Sequence, residues 1–173
     1  LRRRERCRWS RESGMRRFIL LILLQFVAAP PAYADRLAGV ASVIDGDTLE
    51  IRGQRIRLHG IDAPESRQLC ETTEGQRRRC GQQAAFAVAD RIGRSPVSCA
   101  VRDTDRWGRV IWVCTQDGVD LNGWLVESGW AVAYRRYSRD YIPAETDARS
   151  ARRNIWSGRF DMPWDWRRAQ RGG

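Results

Sequence analysis

Between residues 37 and 61 the chain alternates apolar and polar side chains in three short runs, parted by turns too tight to hold a helix. Segments 37–44 and 47–52 flank an Asp45-Gly46-Asp47 turn, and Gly53-Gln54 leads into 55–61. In the third run Ile56 and Leu58 face one way while Arg55, Arg57 and His59 face the other, a period of two that fits only a strand. Gly60 interrupts the alternation, as a bulge that re-aims the following residues would. Segments 96–101 and 109–114 read as two further strands joined by a polar turn. A helix is expected over 81–92, where Ala85, Val88, Ala89 and Ile92 form an apolar stripe. Asp120 suits the N-cap of a second helix carrying Leu121, Trp124 and Leu125 and ending at Gly129, and a third is expected over 143–155. Residues 62–79 read as a polar loop. Five short strands with about three interspersed helices make an α+β, mainly β chain, for which a five-stranded OB-type barrel is the economical architecture.

The first 34 residues follow a different grammar. From Met15, two arginines precede an apolar run from Phe18 to Ala29 and then Ala32-Tyr33-Ala34, the order of a secretory leader with cleavage expected after Ala34. About twelve apolar residues fall short of the roughly 20 that span a bilayer, so stable membrane insertion is not expected once the leader is removed. The competing reading is an uncleaved anchor. Residues 1–14 read as an upstream extension, with a polybasic nucleic-acid arm as the alternative. Of the net charge of +10, this terminus carries +6, from eight arginines against Glu5 and Glu12, so residues 35–173 are only mildly basic. The chain has no lysine, which excludes Schiff-base and P-loop lysine chemistry, and its single histidine, His59, excludes paired-His zinc sites.

Export gives the cysteines their meaning. Beyond Cys7, an even four remain: Cys70, Cys80, Cys99 and Cys114. Cys99 and Cys114 fall on the two adjoining strands, where a cross-hairpin bridge is expected, which leaves Cys70 with Cys80 to clamp a hydrophilic loop. Zinc is the competing reading, but no C-x-x-C pair occurs. The compartment implied is secreted or periplasmic.

Asp47, Asp62 and Glu65 are carboxylates at strand ends or turns close to Arg57. Such a cluster either forms ion pairs or holds a cation, and all-oxygen donors select Ca²⁺ or Mg²⁺ over zinc. With Arg109 after the turn at 103–108, two arginines near a cation can grip a phosphate from both sides. On spacing alone, ordinary surface ion pairing competes with this reading.

Three motifs in order make the chain recognisable. Val43-Ile44-Asp45-Gly46-Asp47-Thr48, then Arg57-Leu58-His59-Gly60-Ile61-Asp62-Ala63-Pro64-Glu65, then Asp105-Arg106-Trp107-Gly108-Arg109 resemble the staphylococcal nuclease (thermonuclease) family. Weaker agreement continues through Asp120-Leu121-Asn122, Gly129-Trp130-Ala131 and Asn154-Ile155-Trp156, so the resemblance covers most of residues 38–158. It implies a five-stranded OB barrel with three helices over 35–160, and Ca²⁺-dependent hydrolysis of DNA and/or RNA leaving 3′-phosphate ends. By the same resemblance Asp47, Asp62 and the Ala63 carbonyl match metal ligands, with Ala63 standing where many relatives have Thr. Glu65 matches the general base for the attacking water, and Arg57 and Arg109 match the arginines on the scissile phosphate.

Other positions carry smaller expectations. Arg106, Trp107 and Tyr134 match places that contact the nucleotide, with a hairpin cap as the alternative for Trp107. Asp45 is expected in a turn rather than on the metal, and His59 in a strand-face hydrogen bond, with substrate contact as the alternative. Arg135, Arg136 and Tyr137 follow with looser alignment, and Arg77–Arg79 offer backbone-phosphate contacts or a solvated charge run. Trp112, Trp124, Trp130 and Trp156 are assigned to packing. The tail, 161–173, lies outside the resemblance, and its two tryptophans are expected to dock on the domain. A monomer is expected. The competing function is a non-catalytic OB module that binds nucleic acid or another anionic polymer.

Overall fold

A computed structural model describes residues 35–172. The expected upstream extension (1–14) and leader (15–34) lie outside the described residues, and among the described ones no helix is long and apolar enough to cross a membrane.

The five expected strands are present and close on themselves. Strands β1 (Arg36–Asp45), β2 (Thr48–Ile51) and β3 (Gln54–Leu58) form an antiparallel meander. Beyond two short strands at 61–62 and 70–71 and a third at 77–78, named β4, β5 and β6, comes β7 (Pro96–Thr104), which pairs with β1 and with β8 (Val110–Gln116). The barrel closes where β3 meets β8 in parallel, through Arg57 opposite Ile111 and Leu58 opposite Trp112. Alternation decides which face is inside: Leu49, Ile51, Ile56, Leu58, Val97 and Trp112 are all buried in one cluster. Each such aliphatic side chain contributes roughly 1.5–3 kcal/mol on burial. Cys99 and Cys114 stand directly opposite in the β7–β8 register, with Cα atoms 4.0 Å apart, and are bridged as the strand reading requires.

Helix α1 (Cys80–Ile92) lays Val88 and Ile92 on the barrel. A short strand, β9 (Val119–Asp120), precedes α2 (Leu121–Glu127), whose N-cap Asp120 accepts from the backbone N–H groups of Asn122 and Gly123. Strand β10 (Val132–Ala133) pairs with β4.

Four expectations need correction. The strand expected to run to residue 61 ends at Leu58, and Gly60, at φ +70°, turns the chain so that Ile61 and Asp62 pair with β10 instead. The polar loop contains a small hairpin, β5–β6, spanned by the Cys70–Cys80 bridge. The helix expected over 143–155 is α3 (Ile142–Ser150) and then a separate 3₁₀ turn (Asn154–Ser157), because Arg152 and Asn154 adopt positive φ and break the run. Finally, the tail is a fourth helix, α4 (Pro163–Arg171), opened by a proline whose fixed φ suits a first helical turn.

That tail rests on an annex with its own small core. Cys70, Cys80, Val132 and Ile155 are buried together, with Trp156, Phe160, Met162 and Trp164 packed against them. Glu71 and Arg159 exchange two backbone hydrogen bonds of 2.8 and 2.9 Å, which tie the hairpin to the approach of α4. Arg78 donates to the Asn154 carbonyl (2.6 Å) and to the Ser157 hydroxyl, so this arginine serves the annex rather than a phosphate.

Candidate functional site

The β1–β2 turn is set by Asp45, whose carboxylate accepts the Asp47 N–H at 3.1 Å, the local role expected of it. The turn packs tightly on the β4 loop: a Cβ on Gly46 would lie 2.7 Å from that of Ala63, so only glycine allows this approach. Asp47 is thereby buried, accepting from the Thr48 hydroxyl (3.0 Å) and from the Ala63 N–H (3.3 Å), with Arg57 Nη2 3.8 Å away.

Asp62, on β4, is wholly buried. Burial first, then the nearby negative charge of Asp47, pushes its carboxyl up to about 6, against the opposing pull of Arg167 and Arg57. Glu65 follows three residues later, its N–H bound to the buried Gln68 side chain, whose amide in turn donates to the Asp161 carbonyl at 2.6 Å. A Cβ on Gly81 would stand 1.9 Å from the Glu65 carbonyl oxygen, so α1 can press on this loop only with glycine there. The Glu65 carboxylate is half-exposed.

The opposite wall is basic. Asp105 accepts backbone N–H bonds from Trp107 and Arg109, both 2.9 Å, and grips the Arg109 guanidinium at 2.6 Å. Burial opposes ionisation of Asp105, but these bonds outweigh it and hold its carboxyl below the usual range. Trp107 is exposed at the hairpin tip, with the Arg106 and Arg109 guanidinium groups 4.0 and 4.8 Å from its ring centre. Arg57, Glu65, Arg106, Trp107, Arg109 and Tyr134 line one cleft of about 590 Å³.

Sequence reading thus placed its residues in one neighbourhood: Asp47, Arg57, Asp62, Ala63 and Glu65 together, and Arg106, Trp107, Arg109 and Tyr134 around the cleft above them. Arg136 and Tyr137 also line it, whereas Arg135 is committed to the buried Glu145. His59 is buried, its Nε2 3.1 Å from Asp140.

One participant was missed. Arg167, on α4, makes a two-pronged contact with Asp62 (2.7 and 2.9 Å) and reaches Glu65 at 2.6 Å. The hydrogen bonds to Asp62 hold its guanidinium more firmly protonated than usual. Trp164, one turn earlier, stacks on Tyr134 with ring centres 5.5 Å apart. The available signal was the Trp164-x-x-Arg167 spacing, which puts both on one helix face.

Among the described residues, no three His, Cys, Asp or Glu side chains converge as a metal cluster. The donors present are two buried carboxylates and the main chain at Ala63. Burial and the nearby charge of Asp47 both make the ionised form of Asp62 costly, a cost that positive charge beside it relieves. Oxygen donors in that state fit a hard divalent cation.

The family model described as "Staphylococcal nuclease homologue" matches residues 55–158. A succinoglycan biosynthesis protein, ExoI, of Rhizobium meliloti is 41% identical over 126 residues, covering 71% of this chain and 66% of that protein. An uncharacterized endonuclease of Escherichia coli is 32% identical over 161 residues, 88% of this chain and 98% of the relative. A micrococcal nuclease of Shigella flexneri is 31% identical over 163 residues, 84% and 88% respectively.

Proposed function

This chain belongs to the staphylococcal nuclease family, and from that premise we propose a Ca²⁺-dependent endonuclease that hydrolyses phosphodiester bonds of DNA and/or RNA and leaves 3′-phosphate ends. The observation that carries the reading is the burial of Asp47 and Asp62 side by side beneath a cleft lined by Arg57, Arg109 and Glu65. Asp47, Asp62 and the Ala63 carbonyl would hold the cation. Bound there, Ca²⁺ would supply positive charge against the phosphate oxygens.

The remaining work belongs to side chains. Arg57 and Arg109 each present a planar fork that can donate two hydrogen bonds to a phosphate, strongest when charge accumulates on its oxygens in the transition state. Glu65, half-open to the cleft, can take a proton from an attacking water. Arg106, Trp107 and Tyr134 supply stacking and charge for the flanking nucleotide. Secreted or periplasmic residence is part of the same proposal. The two disulfides are compatible with it, and the leader read at 15–34 supports it from sequence alone.

Plasmid degradation measured with Ca²⁺, and again with a chelator, tests the reading. Cleavage should require the cation and should fall with metal affinity in Asp47→Ala and Asp62→Ala. Undiminished cleavage in chelator would sink the metal mechanism. Retarded but uncut plasmid would favour the non-catalytic polyanion-binding module instead.

A further inference from the structure

Helix α4 lies beyond the segment matched to the family, yet it reaches the floor of the cleft. Both carboxylate oxygens of the buried Asp62 are taken by one guanidinium, and the same Nη1 also holds Glu65. Arg167 itself is about three-quarters buried. Its helix is fastened at its start, by Gln68 on the Asp161 carbonyl and by Trp164 against Tyr134, while its far end bears Arg168 and Arg171 along the cleft.

We propose that α4 is an internal strap whose Arg167 serves as the resident counter-cation of the Asp62 site, so that docking of α4 and binding of a divalent cation exclude one another. The proposal rests on the metal-site reading above. Its physical basis is direct: a hard cation needs at least one oxygen of Asp62, and a guanidinium forked on both oxygens competes with it for their lone pairs. A divalent ion beside that guanidinium also meets like charge at close range. With the cation bound, Arg167 loses its two-pronged contact with Asp62 and keeps only its single bond to Glu65, which leaves α4 held mainly by the fastening at its start. Residues 167–171 then leave the wall of the cleft, which opens it for a polynucleotide. Without the cation, the arginine neutralises a buried carboxylate that would otherwise be costly.

The test is Ca²⁺ titration of the purified protein by calorimetry, alongside hydrogen exchange across α4. Arg167→Gln should bind Ca²⁺ about tenfold more tightly or better, because the competitor is gone. Arg167→Lys, which keeps charge but not the fork, should fall between it and the parent. Arg67→Gln removes an equal charge from an exposed position and should leave affinity unchanged. In the parent protein, saturating Ca²⁺ should abolish exchange protection at 167–171. Equal or weaker Ca²⁺ binding by both Arg167 variants overturns the strap and leaves the metal site standing, as does protection of α4 that survives saturation. Absence of Ca²⁺ binding in every variant and in the parent overturns both.

Discussion

The barrel and the annex both line the cleft, and they are built differently. The barrel is a continuous hydrogen-bonded sheet around a large apolar cluster, and its disulfide joins residues already opposite one another. The annex has a smaller cluster, two-residue strands and a disulfide that closes a loop on which the tail then rests. From the barrel come Asp47, Arg57 and Arg109; from the annex side come the support of Glu65 and the reach of Arg167. The continuous sheet therefore holds the groups assigned to the phosphate, while the annex side supports Glu65 and carries Arg167.

Breaking the barrel half should cost most. Arg57→Lys or Arg109→Lys should lower turnover on the order of 10²- to 10³-fold, with a much smaller loss of substrate affinity, since the fork acts mainly in the transition state. Steady-state kinetics on plasmid separates the two quantities; equal losses would mark both arginines as electrostatic anchors.

The disulfides sharpen the comparison. Each contributes about 2–4 kcal/mol, largely by restricting the unfolded chain. Replacing Cys99 and Cys114 by Ser should lower the melting temperature and leave the chemistry intact at temperatures where the domain stays folded. The same change at Cys70 and Cys80 should also raise the substrate concentration giving half-maximal rate, because the loop carrying Glu65 loosens. If the two double variants prove indistinguishable in kinetics, barrel and annex are not the separate regions drawn above.

A smaller effect concerns pH. The Asp62 carboxyl is raised from 3.8 to about 6 in the folded protein, so between these values the folded state holds a proton that the unfolded chain gives up. Stability contributed by this group is therefore greatest below pH 4 and declines as pH rises through 6. Thermal melts of the cation-free protein should show Asp62→Asn gaining on the parent across that window and levelling off above it. A flat difference would mean that burial does not hold a proton on Asp62 in the folded state.

Least should follow from Trp164→Ala, which removes the stacked pair with Tyr134, about 0.5–1.5 kcal/mol beyond the buried area. Exchange protection should drop in α4 and remain unchanged in β7 and β8. A uniform loss would merge the two regions into one cooperative unit.

Much of this division was legible beforehand, for physical reasons. Alternation at Ile56 and Leu58 defines a strand face, and two cysteines on adjoining strands must meet if those strands pair, so the barrel followed from local pattern. Asp47, Asp62 and Glu65 could be singled out as candidates because turns and motif spacing mark them. The annex resisted because its determinants are neither periodic nor local. Strands of two residues leave no alternation to read, the positive φ of Arg152 and Asn154 has no turn residue pattern to announce the break at Arg152, and the Glu71–Arg159 pairing joins backbones, which any sequence can supply. Arg167 was hidden by the same fact: its partner lies 105 positions away, and the Trp164-x-x-Arg167 spacing marks a shared helix face without telling what that face meets.

The closure of β3 on β8 has a consequence for when the molecule first becomes competent. Only two residue pairs form that parallel contact, and one of them contains Arg57, drawn from a segment made long before the hairpin that carries Arg109. Pairing of strands so distant along the chain is slow, because loop closure must precede any gain from contact. A chain still being synthesised, or a fragment ending before β8, carries Asp47, Arg57, Asp62 and Glu65 in full yet has no opposing wall to set against them. On the proposed reading, competence to grip a phosphate thus arrives with ring closure, as a property of the closed barrel rather than of any residue in it.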